Sequence, residues 1–330
     1  KNVQLGTHGS VNAWVGEDEG FEYGTGASIA SYKNKLNWQT SVRHSQPTWR
    51  DDLFLIRTVG ETTYDQVTRE PYDPNNFNLS GNIDYYLSDN HSIGIGSRWN
   101  SRTSSRIVAS ETKISDATQT NVLFSENNFD RIREDFNINP YYEYKTDTEK
   151  LVVDFNYINY TNNSTNELSD NEGSTVNQDS RRYAQDGKYT IKTYKADYTK
   201  TFSEKLKVSM GSKYAAVNTD SDLQSFKENT IGDFELLNSE SSRFLVNETI
   251  FALYTKVNAT RGKWSFSGGI RYENSKTDGT SIFIENDVLK KEKQKRPIEK
   301  FFPSASISRK ITESLGASVS YSYRIQRPSY

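Results

Sequence analysis

Cysteine is absent from the 330 residues. That removes disulfides, thiolate metal ligands and a cysteine nucleophile together. Histidine occurs three times, at His8, His44 and His91, with no spacing that gathers a metal ion. No run approaches the ~18 consecutive apolar residues of a membrane-spanning helix. A surplus of either charge is lacking as well. Lys and Arg number 41 against 43 Asp and Glu, for a formal net charge of -2, so nothing points to nucleic acid as a partner. Hydrophobic residues make up only 33% and the mean hydropathy is -0.83. Such an average would fit disorder, were it not for the aromatics: 13% of the chain, with 21 Tyr and 16 Phe, where disordered chains are aromatic-poor.

The apolar residues that are present are strictly phased. In "NFNLSGNIDYYLSDNHSIGIGSRWN" (76–100), Phe77, Leu79, Ile83 and Tyr85 alternate with Asn78, Ser80, Asn82 and Asp84. After Ser88-Asp89-Asn90 the pattern resumes with Ile93, Ile95 and Trp99. Period two places each set on one face of a strand, so this is a hairpin. Similar short turns recur at 33–35, 146–150, 203–205, 261–263 and 312–314, each flanked by alternating runs. Between them lie long polar segments at 46–74, 101–134, 161–187, 219–243 and 275–299, read as loops. "TNNSTNELSDNEGSTVNQDS" (161–180) and the basic run "KKEKQKR" (290–296) belong to these.

Short turns at one end of a sheet and long connections at the other are the arrangement of outer-membrane β-barrels. The apolar face then meets lipid and the polar face lines a wet lumen, which reconciles low hydrophobicity with high order. A soluble sandwich would alternate too, but with strands every ~8–12 residues and uniform turns. The expectation is an all-β, antiparallel transmembrane outer-membrane β-barrel. Strands are expected near 3–15, 21–32, 36–46, 76–87, 91–100, 135–145, 151–160, 188–202, 205–218, 244–259, 264–274, 300–311 and 315–325. That is about thirteen, whereas closed single-chain bacterial barrels have an even number. A loop ribbon at 53–69 could alter the count. The simpler expectation is that residues 1–330 are a partial barrel whose sheet continues outside this chain.

Phase gives the candidate positions. Arg43, Arg98, Arg271 and Glu273 point to the lumen. Trp14, Trp38, Trp99, Tyr157, Trp264 and Tyr272, with Phe21, Tyr23, Tyr85 and Tyr160, suit the aromatic girdles at the two lipid boundaries. No nucleophile–base set, calcium loop or phosphate loop is present: "GEDEG" (16–20) lacks the spaced ligands of a calcium loop, and the glycines of "GTGAS" have no strand-to-helix context. No enzyme, metal or cofactor is therefore expected. The expected surroundings are outer-membrane lipid and lipopolysaccharide; the basic run reads first as a solvated loop, with contact to lipopolysaccharide as the sharper alternative.

Two stretches carry a resemblance. "KWSFSGGIRYENSKTDGTS" (263–281) and "KFFPSASISRKITESLGASVSYSYRIQRPSY" (300–330) resemble TonB-dependent outer-membrane receptors, and more narrowly the large outer-membrane β-barrel family of Bacteroidota. The matching elements are G-x-R-Y-E, F-P-S-x-S-x-S and S-Y-S-x-R-I-x-R-P-S-Y. The resemblance implies a barrel of about 22 strands with a plug in its lumen. It also implies import of a large or scarce solute, energised by a TonB complex that would contact a region upstream of Lys1. A surface lipoprotein or other assembly subunit is a further implied partner. A passive pore and a structural barrel within a larger assembly are the competing functions.

Overall fold

The computed structural model describes residues 6–172 and 179–325. The start of the first expected strand, residues 173–178 of the polar run at 161–180 and the end of the terminal motif therefore lie outside the described residues. Among the described residues, sixteen strands form one antiparallel sheet. They are β1 (Gly6–Glu17), β2 (Phe21–Lys33), β3 (Leu36–Gln46), β4 (Trp49–Val59), β5 (Thr62–Tyr72), β6 (Asn75–Tyr86), β7 (His91–Ser115) and β8 (Thr120–Lys145). They continue as β9 (Glu149–Glu172), β10 (Asp179–Ser203), β11 (Leu206–Glu228), β12 (Phe234–Leu236), β13 (Ser242–Arg261), β14 (Trp264–Glu285), β15 (Val288–Lys310) and β16 (Gly316–Ser322). The main path runs through thirteen of them in chain order, with β4, β5 and β12 off that path. Among the described residues no helix is long and apolar enough to cross a membrane.

The tight turns fall where the sequence places them, but the long polar segments are not loops. β7 and β8 stay paired from His91–Tyr144 to Ser115–Thr120 without a register change. β14 and β15 do the same up to a two-residue turn at Asn286-Asp287, where both residues have positive φ, 52° and 60°; such a turn matches the twist of a hairpin. The segments 101–134, 219–243 and 275–299, and the described part of 161–187, are thus mostly strand. Sequence periodicity misses this because both faces of a strand outside the membrane are wet. Polar residues then alternate with polar residues and the contrast vanishes.

The ribbon at 53–69 is real and explains why the count of thirteen holds. Gln46-Pro47 and Asp73-Pro74 each break a strand, since proline donates no ladder hydrogen bond. Yet Asn75 faces Thr103 and Arg69 faces Ala109, equal steps on both strands. β5 therefore continues β6 in the same register beside β7, and β4 likewise continues β3.

Between the aromatic belts the outward face carries apolar and small residues. Ile83, Ile95, Val153, Leu253, Ile270 and Val319 stand there exposed, as lipid contacts require. Trp38 and Trp264 lie beside the tight turns, and Trp99, Tyr157 and Tyr272 lie farther along the same face. From Trp264 to Tyr272 the strand covers about 26 Å, or about 20 Å along the axis at a ~40° tilt, close to the ~25 Å apolar band of such barrels. Phe77 packs on Trp99 with centroids 5.4 Å apart, and Tyr272 on Phe301 at 5.2 Å. Trp14 departs from the expectation. It faces Gly24 and shares the polar face with Ser10 and Asn12. Ala13-Trp14-Val15 places three apolar residues in a row, so the local phase was ambiguous, and Val11, Ala13 and Val15 take the outward side.

Pro140 sits in an interior strand within this band, facing Ile95, and cannot donate to β9. The Asn139 side chain replaces the missing donor, its Nδ2 donating to the Phe155 carbonyl at 2.8 Å. An unpaired carbonyl in hydrocarbon is costly. Asn139→Leu is expected to destabilise the barrel by about 1–3 kcal/mol, read as a lower urea midpoint in detergent micelles. Adding Pro140→Val restores a backbone N–H and should recover most of the loss; an undiminished loss in the double variant would refute the substitution of one donor for the other.

Candidate functional site: the polar face of the wall

The opposite face of the same strands gathers the polar side chains. Arg271 and Glu273 lie side by side on β14, paired at 2.8 Å, with Glu273 only 2% exposed. Arg98 reaches Asp135 at 3.6 Å, and Asn100 donates to the same carboxylate at 2.8 and 2.9 Å. Arg43 and Arg98 together line a depression of about 330 Å³ with Asn12, Asn78 and Asn100. The four phased residues thus form two separate groups, one on the β1–β8 part of the sheet and one on β14.

Alongside these groups runs a feature that phase alone did not single out. Asp84, Gly94 and Tyr141 stand directly opposite one another on β6, β7 and β8. The Tyr141 ring lies across Gly94 and its hydroxyl donates to Asp84. Asp197, Gly211 and Tyr254 repeat this row on β10, β11 and β13, with the Tyr254 hydroxyl 2.6 Å from Asp197 Oδ1. In both rows the tyrosine follows its aspartate by 57 residues. The glycines are required by close approach: a methyl at Gly94 would lie 2.5 Å from the Tyr141 ring, and one at Gly211 2.6 Å from the Tyr254 ring. The ring thereby crosses one strand to bond the next, tying three strands together. Lys195 pairs with Asp197, and the Arg271 guanidinium lies 5.6 Å from the Tyr254 ring, joining the second row to Glu273. The equal spacing of Asp and Tyr was the available signal in the sequence.

The histidines disperse. His8 stacks on Tyr32, His44 Nε2 meets Asn75 Oδ1 at 3.1 Å, and His91 Nδ1 meets the Tyr142 hydroxyl at 2.6 Å. Glu19 of "GEDEG" pairs with Arg50 at 2.9 Å. Among the described residues no three His, Asp or Glu side chains converge as metal ligands. The arrangement is a charged and hydroxyl-rich surface cross-linked by side-chain hydrogen bonds.

Gly211→Ala should displace the Tyr254 ring and cost about 1–3 kcal/mol, and Tyr254→Phe about 1–2 kcal/mol through loss of one hydrogen bond. Because both act on one row, the double variant should lose clearly less than the sum. Additive losses in denaturant midpoints would show that the row is not a unit.

The sequence compared with curated proteins gives no match. Among solved structures, the fold aligns with the outer membrane protease OmpT of Escherichia coli at 12% identity and a TM-score of 0.30, over 88% of this chain and 97% of that one. It aligns with the Ralstonia pickettii toluene transporter TbuX at 11% identity and a TM-score of 0.32, over 98% and 90%. With the ferric citrate transporter FecA the values are 10% and 0.45, over 96% of this chain and 44% of that one. A family model described as the outer membrane protein beta-barrel family matches residues 142–330. That match takes in more than half of the chain and the whole stretch from β9 to β16, so the chain belongs to the outer membrane protein beta-barrel family.

Proposed function

We propose that this wall is part of a TonB-coupled receptor that imports a large or scarce solute through a plugged barrel and performs no catalysis. The observation that carries the reading is the width of the sheet together with its continuous polar face. Thirteen strands in sequence do not close on themselves, and among the described residues β1 pairs only with β2 and β16 only with β15. In hydrocarbon both edges need partners. We infer that further strands complete a barrel wider than thirteen, in the size range that holds a plug. Arg43, Arg98, Arg271 and Glu273 then face its lumen.

The basic run supports contact with lipopolysaccharide on the other side. It is strand, and Lys291, Lys293 and Lys295 share the outward face opposite Ile282, Thr280 and Asp278. Phosphates of the outer leaflet would meet that ladder beyond the aromatic belt.

In cells making the full-length protein, cysteine at position 43, 98 or 271 should react with a hydrophilic maleimide, whereas Leu253→Cys should react only with a lipid-soluble reagent. The reverse pattern would invert the assignment of faces. Solute uptake should fall to background when the TonB complex is depleted. Steady conductance of the purified full-length barrel in planar bilayers would instead establish a passive pore.

A further inference from the structure

Beyond the outer aromatic belt, on the polar face of β7 and β8, positive charge is concentrated in a way the sheet alone does not explain. Arg102 stands directly opposite Arg133, and Arg106 opposite Phe129, with Arg131 on the next inward position of β8. Like charges opposite one another across strands are destabilising. Among the described residues one carboxylate pairs with them: Glu70 of β5 meets Arg106 at 2.6 Å. Arg133 Nε donates to the Asn162 side-chain oxygen at 3.1 Å.

Aromatic plates hold the guanidinium groups. Arg106 lies between Tyr72 and Phe129, 4.9 and 4.7 Å from their centroids; Arg131 lies 4.4 Å from Phe129 and Arg102 5.2 Å from Tyr72. Stacking fixes the planes but satisfies none of the in-plane N–H donors. The Nε atoms of Arg102, Arg106 and Arg131 are buried and find no hydrogen-bond partner among the described residues. Buried donors of this kind are rare and call for a specific reason. Burial, followed by the nearby Arg133 and Arg106, draws the Arg131 guanidinium below its ordinary value, although arginine stays charged.

We propose that Arg102, Arg106, Arg131 and Arg133 form a binding site for an oxyanion, a carboxylate or phosphate group on the solute, at the outer mouth of the barrel. Planar forks already oriented by stacking match the paired oxygens of such a group and lose little freedom on binding it. The anion would also relieve the repulsion between Arg102 and Arg133. This deepens the import reading, and rests on it only in calling the anion a solute.

The test is calorimetric titration of the purified full-length protein in detergent with citrate and, separately, pyrophosphate, with neutral maltotriose as control. Saturable binding of one or both anions is expected, weakened by added salt and absent for the sugar. The stronger anion identifies carboxylate or phosphate as the preferred group. Arg106→Gln and Arg131→Gln should each weaken binding about tenfold or more, whereas Arg309→Gln, on the outward face, should not change it. Arg102→Gln provides a readout that a purely structural role would not give: weaker anion binding together with a higher thermal midpoint without ligand. Absence of anion binding at millimolar concentration in folded protein, or equal binding by all variants, overturns the site. Because binding is measured without energised uptake, a barrel that binds anions but does not import them fails the transport reading alone.

Discussion

Every other feature of this wall depends on one requirement: in hydrocarbon a backbone N–H or C=O has no partner except the neighbouring strand. The antiparallel ladders answer it with long registers, such as the one between β7 and β8, that pass through the membrane and beyond it without slipping. Where proline interrupts the ladder inside the band, as at Pro140, a side chain from the adjacent residue takes the vacant role. Where proline breaks strands outside the band, as at Pro47 and Pro74, water is available and the same register resumes past the break.

Once the ladder is fixed, side-chain direction follows from the pleat, and the two faces can be specialised independently. The outward face holds Ile, Val, Leu and small residues between aromatic belts. The polar face holds charge, yet it is not loosely organised. The Asp84–Gly94–Tyr141 and Asp197–Gly211–Tyr254 rows tie strands together through a ring laid over glycine, adding side-chain bonds across three strands to the ladder beneath. Beyond the lipid the same strands continue with water on both sides. Their chemistry changes while their geometry does not: on the outward face Asn159, Thr161, Asp278 and Lys293 stand where lipid would have demanded apolar residues.

Much of this was legible in the residues. Alternation at 76–100 and the short turns located the hairpins, and thirteen main strands follow from them because β4 and β5 extend β3 and β6 rather than adding to the path. The outer extensions were not legible, since "TNNSTNELSDNE" within β9 alternates polar with polar and offers no hydropathy contrast. Trp14 was misplaced because its apolar neighbours on both sides erased the phase. The arginine group could not be found by spacing either. Residues 102 and 106 are near one another in the chain, but 131 and 133 reach them only through the β7–β8 register, and Tyr72 only through the ribbon that β5 forms beside β7.

The sequence by itself determined that the chain forms amphipathic strands joined by tight turns at one end, because period-two alternation has one geometric solution where one face meets lipid. Tertiary structure alone decided which residues oppose one another across strands. Register, not local pattern, sets those distances. The tyrosine rows, the donor supplied by Asn139 and the clustered guanidinium groups come into being only when strands distant in sequence are aligned.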